Sequence, residues 1–88
     1  MNDNPEMRRI QFRAWHRGTR EADYIVGGFF DRYHATWNAD EIAWFERFME
    51  EQDADIMGWA LGTIPVPPEW QGPMMDRFLK LDFVKIQN

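Results

Sequence analysis

Met7-Arg8-Arg9-Ile10-Gln11-Phe12-Arg13-Ala14-Trp15-His16-Arg17-Gly18-Thr19-Arg20-Glu21-Ala22-Asp23 carries two helical phases with one glycine between them. Met7, Ile10, Ala14 and Trp15 recur at the spacing that places side chains on one face of a helix. Gly18 can end that helix in the left-handed conformation, because it has no Cβ to clash. From Arg20 or Glu21 onward, Ala22, Ile25, Val26, Phe29, Tyr33 and Trp37 form a second apolar stripe. Arg17 closes the first helix and Glu21 opens the second, where their charges suit the two helix dipoles. The segment is a helix–turn–helix corner, and it predicts an all-α fold.

The rest of the chain extends the pattern into a compact bundle of four to five short helices. Gly27-Gly28 lies inside the second helix, where each glycine costs about 1 kcal/mol relative to alanine. The pair therefore predicts either a close helix approach or a weak point. Asn38 reads as an N-cap, and Glu41 three residues later completes a capping-box pattern. The third helix should turn Ile42, Phe45, Phe48 and Met49 inward and Asp40, Glu46, Glu50 and Glu51 to water. Trp44 is out of phase with that face, which predicts partial exposure. Asp53 reads as the cap of a fourth helix holding Ile56, Met57, Ala60 and Leu61 and closed by Gly62.

Thr63-Ile64-Pro65-Val66-Pro67-Pro68 reads as an extended connector, since each proline disfavours a helical predecessor. Pro73 suits the first turn of a last helix with Met74, Met75, Phe78, Leu79 and Phe83 on its apolar side. Residues 1–6 read as a flexible N-terminus of a single domain over 1–88. Breaks are expected near Gly18, Trp37–Asn38, Gln52–Asp53 and Gly62–Pro68. The expected core includes Ile25, Phe29, Phe45, Phe48 and Leu61.

Composition limits what such a chain can do. It has 88 residues, no cysteine, five Trp, seven Phe and two Tyr. A domain this size buries roughly 60–65% of its unfolded surface, so large aromatic rings must supply much of the core. Disulfides, zinc–thiolate sites and cysteine nucleophiles are excluded. No stretch approaches the roughly 20 apolar residues of a membrane span, and the polar start has no signal-like apolar region. A cytoplasmic, monomeric protein is the expectation. The net charge of −5 is uneven. Arg8, Arg9, Arg13, Arg17 and Arg20 crowd the start, while Arg47 is the lone cation between Asp40 and Asp76.

Catalytic patterns are absent. His16 and His34 have no partners at metal-ligand or triad spacing, and no glycine-rich loop follows a strand. Helix-end positions account for both histidines, and the acidic residues of the third helix read as a solvated face.

Three blocks occur in order along the chain: Phe12 to Asp23, then Phe45-Glu46, then Asp53-Ala54-Asp55-Ile56-Met57-Gly58-Trp59. Together they resemble the succinate dehydrogenase assembly factor family, also described as FAD assembly or flavinylation factors. Arg17, Gly18 and Glu21 match its Arg-Gly-x-x-Glu signature, and the resemblance covers roughly residues 8–83. The C-terminal stretch departs from it, with the proline-rich connector and Trp70-Gln71-Gly72-Pro73 interrupting a usually regular helix. Ala22 also stands where a bulkier apolar residue is common.

The resemblance implies a small helical protein that binds the flavoprotein subunit of succinate dehydrogenase or fumarate reductase. There it promotes covalent attachment of FAD to a client histidine while holding no cofactor of its own. It also assigns Arg17, Gly18 and Glu21 to the client interface. The charged corner adds Arg20, and proximity extends the set to Arg13, His16 and Asp23. Two other readings compete. One is an antitoxin-type regulator, since family members have carried that label. The other is a nucleic-acid-binding module on the arginine-rich start, against which Glu21 and Asp23 interrupt the basic surface.

Overall fold

The computed structural model describes residues 4–84. Among them the chain forms α1 (Pro5–Trp15), α2 (Arg20–Tyr33), α3 (Ala39–Phe48), α4 (Asp53–Leu61) and α5 (Pro73–Leu79), with no strand. Two 3-10 turns, His34–Thr36 and Pro68–Trp70, lie between helices. The expected breaks fall between helices.

Helix α1 starts earlier than the sequence suggested. Asn4 accepts a hydrogen bond from the Glu6 amide at 2.8 Å, and Pro5 occupies the first turn, where its missing N–H costs nothing. Pro5 and Glu6 are therefore helical, not part of a flexible N-terminus. Residues 1–3 and 85–88 lie outside the described residues.

Helix α1 buries Met7, Ile10 and Ala14 against α2, which buries Ala22, Ile25, Val26, Gly27, Phe29 and Phe30. Of the glycine pair, Gly27 meets the indole of Trp15, and Gly28 faces Phe83. Both thus serve close approach. Trp37 was expected on the α2 stripe, but that helix ends at Tyr33 and tightens into a 3-10 turn. Trp37 is extended, with φ −84° and ψ 138°, and is still buried, packing on Phe29, Phe30 and Phe45.

The capping box opens α3 as expected. The Glu41 amide donates to Asn38 Oδ1, and the Asn38 amide donates to Glu41 Oε1, each at 2.9 Å. Phe45, Phe48 and Met49 are buried, and Trp44 is half-buried, stacked on Phe48 and edge-on to Trp70.

Helix α4 departs from expectation at both ends. Its N-cap is Gln52, with no side-chain bond, while Asp53 is the first helical residue and its carboxylate points to Arg17. Leu61, expected in the core, is 66% exposed. The buried face is centred on Ile56 and Trp59, and at about 100° per residue Leu61 lies some 200° around from Trp59. The space beside Gly58 is filled instead by Ile64, where the chain folds back after Gly62 (φ +78°).

Helix α5 buries Met74, Met75 and Phe78 and leaves Leu79 exposed. Phe83, expected on the apolar side of this helix, lies beyond its end. Leu81 takes a positive φ of 54°, the chain turns, and Phe83 returns to pack on Phe29 and Phe78. All five helices meet in one apolar cluster, within which Phe29 touches Tyr33, Trp37, Phe45, Phe78 and Phe83. The radius of gyration, 12.5 Å, is close to the roughly 12 Å of a compact chain this long.

Candidate functional site: the α1–α2 corner

The corner is built from local hydrogen bonds. Helix α1 ends at Trp15, and the His16 amide bonds Arg13 O. The Arg17 amide donates to Asp23 Oδ1 at 2.6 Å, and Thr19 caps α2 by accepting from the Ala22 amide at 3.1 Å. Between them Gly18 has φ +120°, positive but well beyond the left-handed helical value the sequence suggested. Nothing lies within 4 Å of where a Cβ would stand. The glycine is needed for its backbone angle and opens directly to solvent.

Arg17 turns inward. Its Nε donates to Asp53 Oδ1 at 2.9 Å, Nη1 to Met49 O at 2.7 Å and Nη2 to Glu51 O at 3.0 Å. Those carbonyls belong to the end of α3 and the loop after it, where backbone acceptors lose helical partners and the dipole favours a cation. The Arg17 side chain is only 10% exposed.

The other expected residues divide by exposure. Gly18, Arg20 and Glu21 are exposed, and neither Arg20 nor Glu21 forms a side-chain hydrogen bond or ion pair with a described residue. Arg13 is exposed and pairs with Glu50 at 2.8 Å, a surface bridge worth little. Asp23 is half-buried and holds the turn. His16 is exposed, stacked on Phe12 with centroids 3.8 Å apart, and its Nδ1 lies 2.6 Å from Phe12 O. A carbonyl only accepts, so Nδ1 carries the proton and Nε2 is left to face solvent. His34 repeats the arrangement with Phe30. Both histidines are thus locally satisfied.

Reading the sequence missed the exposure of Phe12 (58%) and Tyr24 (54%) on either side of the corner. It also missed the clamp at Met49, Glu51 and Asp53. The Asp53 block was visible as a motif, but helix-start position suggested capping, and nothing local reveals a partner 36 residues away. A shallow groove of about 490 Å³ runs between Phe12 and His16 on one side and Gln52 and Asp53 on the other. A second, of about 650 Å³, lies by Trp15, Tyr24, Asp31 and Phe83. Among the described residues no cluster of three His, Asp or Glu side chains is placed to hold a metal ion, and no helix is long and apolar enough to cross a membrane.

The fold is thus a small helical bundle with an exposed α1–α2 corner. The chain belongs to the flavinator of succinate dehydrogenase family, whose sequence model matches residues 8–82. It is 38% identical over 73 residues to the FAD assembly factor SdhE of Acetobacter pasteurianus, covering 83% of this chain and 67% of that one. It is 29% identical over 72 residues to the mitochondrial succinate dehydrogenase assembly factor 2 of Schizosaccharomyces japonicus, covering 82% and 50%. With the corresponding factor 2-A of Drosophila mojavensis the identity is 30% over 69 residues, covering 76% and 44%. The chain thus spans about two thirds of the bacterial relative and half or less of these mitochondrial ones. No solved structure matches it.

Proposed function

We propose that this protein binds the flavoprotein subunit of succinate dehydrogenase or fumarate reductase and promotes covalent attachment of FAD, without being an enzyme itself. The observation that carries this reading is the exposure of Gly18, Arg20 and Glu21 on a corner whose backbone is fixed from three sides. An assembly factor of this kind contributes orientation. Holding the client's histidine and flavin in reactive geometry can lower the barrier by several kcal/mol without a donated catalytic group. The chemistry and the FAD belong to the client. Glu21 and Arg20 offer charge-assisted contacts, Gly18 admits a partner backbone, and Arg13, His16 and Phe12 border the same surface.

Of the five arginines at the start, Arg13 and Arg17 are paired with carboxylates, and Glu21 and Asp23 interrupt the basic surface around Arg20, which disfavours a nucleic-acid module. The working compartment proposed with this reading is the cytoplasm. The test is covalent flavin fluorescence in the denatured flavoprotein band from source cells with and without this gene. Loss of the signal, restored by the gene, is expected; an unchanged signal refutes the reading.

A further inference from the structure

We infer that Arg17 acts on the flavoprotein as a positioning residue, through Asp53 and the α3–α4 junction, and does not touch the client. The inference rests on the reading of the corner as the client surface. The guanidinium is bound by Asp53 and by the carbonyls of Met49 and Glu51, and its own main-chain amide is bound by Asp23. To reach a partner it would have to leave a short ion pair and strip donors from two carbonyls at the end of α3. Deserting such groups is far costlier than forming one more surface contact. The clamp joins the corner to a junction more than 30 residues away in sequence. It sets the direction in which Gly18, Arg20 and Glu21 face outward.

Lysine cannot substitute. Its ammonium is a compact charge and cannot span Asp53 and both carbonyls as the planar guanidinium fork does. Asp53 becomes functional by the same argument, although it is only partly exposed and lies on another helix.

The experiment measures binding of purified Asp53→Asn, Asp53→Glu, Arg17→Lys and Glu21→Ala proteins to apo-flavoprotein subunit. It is done well below each variant's melting temperature, with amide spectra of the free proteins. A positioning role requires Asp53→Asn and Arg17→Lys each to weaken binding on the order of tenfold and to shift the Gly18 and Glu21 amides. Asp53→Glu, which keeps the charge, should recover much of the affinity. In the Glu21→Ala background, Arg17→Lys should then cost little more, because the contact it positions is gone. If Arg17 touched the client directly, Asp53→Asn would release its guanidinium and leave binding equal or tighter, and the two losses would add. Either result overturns the inference while the corner reading stands. Unchanged binding by Glu21→Ala overturns both.

Discussion

The indole of Trp15 occupies the space where a side chain on Gly27 would begin. Trp15 is held there by its Nε1–H, which donates to Asp31 Oδ2 at 3.2 Å. This contact sets the α1–α2 distance and therefore the shape of the corner.

Gly27→Ala tests that relationship by sign. In a helix interior the change is ordinarily stabilising by roughly 0.5–1 kcal/mol. Here the added methyl would overlap the Trp15 ring, and overpacking of this kind costs about 1–3 kcal/mol. Thermal or denaturant melts should show destabilisation. A variant as stable as wild type would mean that α1 shifts freely, and that the corner is not rigid.

Gly18 gives a second test. A side chain there meets no atom, so any cost is backbone strain at φ +120°, about 1–3 kcal/mol. Asparagine tolerates the left-handed helical region near +57°, but that advantage does not extend to +120°. Gly18→Ala and Gly18→Asn should therefore melt alike, both below wild type. A clearly milder Asn variant would place Gly18 in the ordinary left-handed well. With strain matched, weaker flavoprotein binding by the larger Asn variant would report close client approach.

Glu41 predicts a pH dependence. The Asn38 amide holds its carboxyl below the usual carboxylate range; burial opposes it, and the Arg77 guanidinium at 3.2 Å adds to the lowering. A depressed folded pKa means that the stabilisation is fully present above the unfolded value of about 4.3. It is lost as pH falls through the folded value. The melting-temperature gap between wild type and Glu41→Gln should be widest at neutral pH and shrink toward pH 3. A gap that does not narrow would show that the capping box draws nothing from the charge.

The helices were legible in the sequence because each has its own phase and punctuation: Gly18, the Asn38–Glu41 box, Gly62 and Pro73. What was not legible depends on contacts between distant segments. Leu61 sits at an apolar position of a nine-residue helix, yet the buried face is that of Ile56 and Trp59, with Ile64 packed on Gly58. Trp70 follows a proline-rich break that reads as disruption, yet it packs between Trp44, Phe48 and Trp59. Periodicity over one short, almost wholly apolar helix cannot say which of its faces meets the core. At the corner, motif spacing picked out Arg17, Gly18 and Glu21 together. Only the fold separates the inward-facing arginine from the outward-facing glycine and glutamate.

The difference between Leu61 and Phe29 can be read in stability. Leu61→Ala should fall within about 0.5 kcal/mol of wild type, as surface changes do. Phe29→Ala removes a fully buried ring at the centre of the cluster and should cost about 3–5 kcal/mol. Comparable losses at the two sites would contradict the placement of α4.

Glu21 decides whether the corner does the protein's work. It is exposed, without a side-chain partner among the described residues, so Glu21→Ala should change stability by less than about 1 kcal/mol. The measurement is the rate of covalent flavin incorporation into purified apo-flavoprotein subunit supplied with FAD, with wild-type or Glu21→Ala protein at equal folded concentration. The expected result is a variant that melts with wild type and accelerates incorporation little or not at all. Full acceleration by Glu21→Ala would contradict the assignment and leave this glutamate as no more than a favourable charge at the start of α2.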